Sequence, residues 1–327
     1  MTSTKLMMSN GWIQAAEEMK IRDENLLDAV AKTATRELRE DESTRRQCLR
    51  AFRDWVKAHQ DIENCLTDDS FLLRFLRAKK FSIPMAQQTL LKYLNLRKKF
   101  KHIFYDLDCQ DTKVNELMDK GYIFASPYRD NFGRRVILTI ASKLDPNRFT
   151  STDMARAHII TYETLLDEEE NQILGFTYFG DGAKVGVGHV SMWSVTEFAT
   201  LMKWGEQSCP IRHKALHIIN LQSTFKYVIE FAANRVSEKL RDRFKLHSSV
   251  NEMLQFLPAE VLPKEYGGIM PMAEMIALWK KELASKRERL LSFDAMNLLS
   301  DRCIMRRRNR STDIETLQGS FRKLEVD

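Results

Sequence analysis

Residues 209–245 read CPIRHKALHIINLQSTFKYVIEFAANRVSEKLRDRFK, and three textures follow one another in them. Ala215–Ile219 is a short apolar run of strand length. From Ser223 the apolar residues Phe225, Val228, Ile229, Ala232 and Val236 recur at three and four, which lays one stripe along a helix. Ser237 followed by Glu238 offers a fresh N-cap, a point where the helical run to 245 can divide in two. Then the character turns basic. Lys239 and Arg243 stand four apart, on one helical face, and Arg212 and Lys214 lie just before the strand. From Lys203 to Lys245, nine lysines and arginines face four carboxylates. Two readings are open. One is a core helix with a solvated, charged end. The other is an apolar helix beside a cationic ridge, which suits a protein that meets a membrane surface and handles something apolar.

The same alternation extends upstream. Arg135–Ala141 (RVILTIA) reads as a strand, Thr152–Leu174 as a helix capped by Thr152 or Asp153, Phe176–Phe179 as a strand and Ser194–Gln207 as a helix. Strand, helix, strand in repetition implies a parallel or mixed sheet with covering helices, an α/β fold. Pro258, Pro263 and Gly267-Gly268 close that region. Before it, residues 48–100 are helical. Asp68 or Asp69 caps a helix in which Phe71, Leu72, Phe75 and Leu76 interleave with Arg74, Arg77, Lys79 and Lys80. Pro84 opens the next helix, through Leu90, Leu91, Leu94 and Leu96 to Arg97-Lys98-Lys99. Residues 1–47 are helix-permissive, and 271–327 read as a charged helical tail with Arg306-Arg307-Arg308 and Arg310.

The chain has 327 residues, 43% of them apolar, enough for a real core. A net charge of +6 allows anionic partners without choosing between phospholipid and nucleic acid. The opening MTSTKLMMSNGW has no apolar signal region, and no stretch approaches a membrane span. Cys48, Cys65, Cys109, Cys209 and Cys303 are odd in number and scattered, as expected of reduced cytosolic thiols.

Catalytic patterns are missing. None of the seven histidines has metal-ligand spacing; His213 and His217 are four apart, but the second lies in the run Ala215–Ile219 that reads as a strand. There is no G-x-S-x-G. Gly180, Gly182, Gly186 and Gly188 match no phosphate loop and read as a turn or a place of close packing. Asp181, at a strand end, reads as structural. No catalytic residue, metal or cofactor is expected.

Three stretches now line up in order: Ser70–Phe81 (SFLLRFLRAKKF), Gly175–Gly182 (GFTYFGDG) and Leu262–Gly268 (LPKEYGG). Together they resemble the CRAL-TRIO (Sec14-like) lipid-binding family, in particular its tocopherol-transfer and retinaldehyde-binding subgroup, over residues 48–275. GSFRKL at Gly319–Leu324 also resembles a tail of invertebrate members. The resemblance implies a helical extension over 1–47, a helical lobe over 48–110, a lipid-binding α/β domain over 111–275 whose sheet floors an apolar cavity, and a tail over 276–327. It implies a mobile lid helix, with Phe225, Val228, Ile229 and Ala232 as its inward face. Four basic positions that form a phosphoinositide cleft in tocopherol transfer proteins match Arg77, Arg212, Lys239 and Arg243. Converging lysines and arginines suit multivalent phosphate.

Family pocket-wall positions match Ala155, His158, Tyr162, Phe176, Trp204, Gly205 and Leu216. His158 and Tyr162 stand where tocopherol binders carry small serines, which changes the cavity's volume and polarity. His158 is either a core histidine bonded to a neighbouring carbonyl or, with Tyr162, a pair that orients a ligand hydroxyl or aldehyde. The expected function is a cytosolic, non-enzymatic carrier of a small hydrophobic molecule (a tocopherol, retinoid, carotenoid or related isoprenoid), exchanging it as a peripheral protein on intracellular membranes that bear phosphoinositides. The alternative is a phospholipid-sensing trafficking or regulatory adaptor, in which the basic tail at Arg306–Arg310 and the neighbouring Ser311 and Thr312 matter more. A nucleic-acid partner is disfavoured, since no recognition motif accompanies the basic residues.

Overall fold

Five strands lie in one sheet in the order of the chain: β1 (Ile123–Arg129), β2 (Arg135–Ile140), β3 (Phe176–Asp181), β4 (His213–Ile219) and β5 (Phe244–Leu246). A computed structural model describes residues 24–222, 230–231 and 234–305. β1 and β2 form an antiparallel hairpin, and β2 through β5 run parallel. The hairpin turn is set by Asp130, whose Oδ1 accepts from the Phe132 and Arg134 amides, and by Gly133 at φ 73. The three apolar runs at 135, 176 and 215 are the three central strands. β1 is masked in the sequence by Pro127, which sits where the pairing with β2 shifts between Ala125 and Arg129, on an edge strand that tolerates it.

The principal helices are α1 (Glu42–Ala58), α2 (Asp69–Ala78), α3 (Ile83–Lys99), α4 (Thr112–Asp119), α5 (Ser151–Leu166), α6 (Glu169–Leu174), α7 (Val195–Ser208), α8 (Glu238–Arg241) and α9 (Met272–Leu291). Asp68 caps α2 by accepting from the Phe71 amide, and Pro84 lies in the first turn of α3. The expected helix over 152–174 is two helices. Thr150, not Thr152, caps α5 in a reciprocal box with Asp153, and the chain breaks after Leu166. No glycine or proline marks that break. It is held instead by tertiary bonds: Gln172 Nε2 donates back to the Leu166 and Ser70 carbonyls, and the Ser70 hydroxyl donates to the Asp167 carbonyl. The basic ridge also differs from expectation. Ser237 does cap a new helix, but α8 spans four residues, so Arg243 stands beyond it at the mouth of β5.

Two large apolar cores result, with a smaller cluster beside them. One wraps the sheet with α4, α5 and α9, and the other fills the helical lobe of α1, α2 and α3. The expected boundaries at 47/48 and 275/276 fall inside α1 and α9. α9 is no tail: Met275, Trp279, Leu283 and Leu290 are buried against the sheet core. The chain then returns to the helical lobe, where Phe293, Met296 and Leu298 join its core and Asn297–Leu298 pairs with Ile62–Glu63. The inward lid positions Phe225, Val228, Ile229 and Ala232 lie outside the described residues, as does everything beyond Met305.

Candidate functional site

The pleat of the central strands separates a closed face from an open one. On β3 and β4, Thr177, Phe179, Asp181, His217 and Ile219 are buried. On the opposite face Tyr178 pairs with Leu216 and Gly180 with Ile218, and all four keep accessible surface. α7 is similar. Although it carries Phe198, Leu201, Met202 and Trp204, only Ala199 and Ser208 are fully buried on it. A Cβ at Gly205 would meet nothing within 4 Å. Half-open apolar surface on a sheet face and on a helix is what a cavity wall presents, whereas a packed core would close it.

Of the expected wall positions, Ala155 and Trp204 share a cluster with Leu96, Ile103, Phe104, Leu201 and Cys209. Trp204 packs edge-on to Phe100 at 6.0 Å under the Lys99 ammonium. Phe176 is fully buried and belongs to the core. His158 and Tyr162 are joined to a longer ladder. The Tyr122 hydroxyl lies 3.0 Å from His158 Nε2, and His158 Nδ1 lies 3.2 Å from the Tyr162 hydroxyl. The Tyr162 ring meets Tyr178 edge-on at 6.2 Å, and the Tyr178 hydroxyl lies 2.7 Å from His213 Nδ1. Thus His158 is bonded to two hydroxyls, not to a carbonyl. Burial lowers both His158 and His213 to about 4, so both imidazoles are neutral at physiological pH. Burial also drives the Cys209 thiol far up, which keeps it uncharged. Tyr122, Tyr178 and His213 were not among the expected wall residues. The signal for Tyr178 was the period-two alternation of β3, which places it on the face of Phe176 and Gly180.

Beside His213, at the N-terminal ends of β4 and β5, the charge is positive. The Arg212 guanidinium and the Lys214 ammonium both reach Glu37 Oε2, at 2.5 and 2.7 Å. Lys239 is held below the ordinary lysine range by burial, then by the positive charges of Arg243, Lys80 and Arg212. Arg243 is depressed by burial and by Arg134, and Arg212 by burial despite its carboxylate. Lys80, Arg134 and Lys214 therefore belong with Arg212, Lys239 and Arg243. Arg77 does not stand with them as an open cation. It is 1% exposed, clasps Glu40 through Nε and Nη2, donates to Glu169 from Nη2 and to Gln172 from Nη1.

The glycine and aspartate of the second stretch have structural partners. Asp181 accepts from the Tyr266 hydroxyl at 2.6 Å, from Asn220 and from the Ala183 amide. Gly175 has φ +79, and a Cβ there would lie 2.3 Å from the Arg212 carbonyl oxygen, so only glycine lets β3 begin so close to Arg212. Gly182 and Gly188 pack against Leu221 and Pro146. Among the described residues one trio of possible metal donors occurs, His59, Asp61 and Cys303, where the C-terminal segment meets the helical lobe. No described helix is long and apolar enough to cross a membrane.

The pattern described as CRAL/TRIO domain matches residues 119–268, and one described as Pinta-like, UBA domain matches 41–114. An alpha-tocopherol transfer protein-like protein of Mus musculus is 30% identical over 265 residues, covering 81% of this chain and 76% of that protein. Clavesin-2 of Rattus norvegicus is 28% identical over 248 residues, 76% of each chain. Among solved structures, that of Sfh5 aligns with 75% of this chain and 99% of its own at a TM-score of 0.50 and 14% identity, a likeness of fold. With the sheet, the half-open wall and these relatives together, the chain belongs to the CRAL-TRIO (Sec14-like) family of lipid-binding proteins.

Proposed function

We propose that the protein is a cytosolic carrier that holds one small hydrophobic molecule, a tocopherol, retinoid, carotenoid or related isoprenoid, and exchanges it at membranes bearing phosphoinositides. The reading is carried by one observation: a half-open apolar wall crossed by a neutral Tyr–His ladder. Apolar walls take a polyene or isoprenoid body, and the few hydroxyl and imidazole groups orient its single polar end. Ala155, His158, Tyr162, Trp204, Gly205 and Leu216 serve that pocket, with Tyr178 and His213 added and Phe176 as packing behind it. Phe225, Val228, Ile229 and Ala232 are proposed to cover it. Native mass spectrometry of the purified protein, followed by solvent extraction, tests this. A stoichiometric isoprenoid or retinoid is the expected result. A bound phospholipid instead would point to the lipid-sensing adaptor.

Membrane contact is assigned to Arg212, Lys239 and Arg243, with Lys80, Arg134 and Lys214 beside them. Crowded cations that depress one another gain most from a multivalent anion. Lys239→Glu with Arg243→Glu is expected to weaken binding to vesicles containing phosphatidylinositol bisphosphate by about ten- to a hundredfold, while leaving the pocket loaded. Unchanged vesicle binding in a sedimentation assay sinks the membrane assignment.

A further inference from the structure

The segment before α1 ends in an unusual way. Residues 24–33 are helical, the chain then widens into the π-turn Ala34–Leu38, and Arg39 adopts a left-handed conformation at φ 62. π-Turns are rare and often mark functional sites. Leu38 is fully buried and anchors the turn. The turn delivers Glu37 to the cationic cluster, where one oxygen, Oε2, is shared by Arg212 and Lys214. That is the geometry one phosphate oxygen would take between the same two side chains. No other ion pair involving Arg212, Lys214, Lys239 or Arg243 occurs among the described residues.

Among the described residues, Glu206 acts on Arg243 and Asp130 on Arg134, but neither forms an ion pair with the cluster, and Glu37 leaves much of the positive charge unanswered. Lys239 stays depressed by Arg243, Lys80 and Arg212 with Glu37 in place. A phosphomonoester, with more charge and three oxygens, answers more of it than a single carboxylate does. Glu37 is also easily displaced, since its side chain is 47% exposed and exposed ion pairs are weak. The segment is not tightly packed beneath. A cavity of about 320 Å³ lies between Val30, Ala31, Ala34 and Thr35 on one side and Arg45 and Ile173 on the other.

We propose that residues 24–41 are a built-in competitor for the anion site: Glu37 occupies Arg212 and Lys214 and gives way only to a phosphate-bearing headgroup. This rests on the assignment of the cluster as the anion site. It would make the protein indifferent to weakly charged membranes and responsive to phosphomonoesters. A ligand that must displace Glu37 binds with an affinity reduced by the fraction of time the site is closed.

The test compares wild type, Glu37→Gln and Glu37→Asp, each with and without Lys239→Glu/Arg243→Glu. The probes are phosphatidylcholine vesicles with and without phosphatidylinositol bisphosphate, and soluble inositol trisphosphate. Glu37→Gln is expected to bind the phosphoinositide vesicles about three- to tenfold more tightly than wild type, with Glu37→Asp near wild type. A parallel gain for inositol trisphosphate supports competition for the phosphate itself, and a gain confined to vesicles supports competition for the lipid headgroup at a surface. If Glu37→Gln binds no better than wild type while charge reversal still weakens binding, the competitor is overturned and the membrane assignment stands. If charge reversal changes nothing, both fall.

Discussion

Replacing Arg77 by methionine lowers the free energy of unfolding by about 3–5 kcal/mol, the cost of breaking a buried ion pair from one side. The guanidinium is fully enclosed between α2, α6 and the N-terminal segment, with Glu40 at 2.7 and 3.0 Å, Glu169 at 2.8 Å and Gln172 at 2.9 Å. Methionine fills much of the volume but supplies no donor. Glu40, itself 8% exposed, is then left with Arg45 at 3.8 Å. Urea denaturation followed by circular dichroism measures the loss. The double variant Arg77→Met/Glu40→Gln recovers part of it, because the stranded carboxylate is neutralised. Opposite behaviour, full stability with lost phosphoinositide binding, would return Arg77 to the anion site. The prediction separates two classes of arginine that look alike in SFLLRFLRAKKF.

That stretch is where sequence and structure part most instructively. The apolar period of α2 was legible, and so was its cap, because both are local. The fate of Arg74 and Arg77 was not, because their partners come from α5, α6 and residue 40. Arg74 is as buried as Arg77 and donates to Glu163 at 2.7 Å, which also accepts from Tyr93 at 2.8 Å. The positions that identify the family therefore join its parts. Ser70, Arg74 and Arg77 bind the helical lobe to α5 and α6. Tyr266 of LPKEYGG donates to Asp181 of GFTYFGDG and stacks edge-on to Phe179 at 5.1 Å.

The candidate site was half legible for the same kind of reason. Pocket positions on α5 and β4 follow from the resemblance, yet the ladder depends on which strand faces which helix. The basic cluster was visible as Arg212, Lys239 and Arg243, since they crowd one short stretch. Lys80, Arg134 and above all Glu37 come from elsewhere in the chain, and no local pattern in ATREL announces a carboxylate aimed at Arg212. The break of 152–174 and the three-residue β5 escaped for want of a glycine, a proline or enough length to show a period.

Lowering the pH from 7 to 5 is expected to remove about 2 kcal/mol of stability for each of His158 and His213, a large share of a typical domain's margin. Each imidazole takes its proton at about 4 when folded, because burial disfavours the cation, against about 6.5 in an unfolded chain. Between those values the unfolded state binds more protons, so stability falls as pH drops through the window and loses no more from these groups below it. His213 feels the positive charge of Arg243 as well, and His158 has hydroxyls, not carboxylates, at both nitrogens. His217, buried beside His247 at 2.9 Å and lowered to about 4, adds to the same trend from the closed face of the sheet. Denaturation curves at pH 7, 6 and 5 measure the slope. His158→Phe starts less stable, because Tyr122 and Tyr162 lose a partner, yet its slope is shallower than wild type by one histidine's share. An unchanged slope would mean that His158 is already solvated by water in the cavity, and that the ladder is wet rather than dry when no ligand fills it.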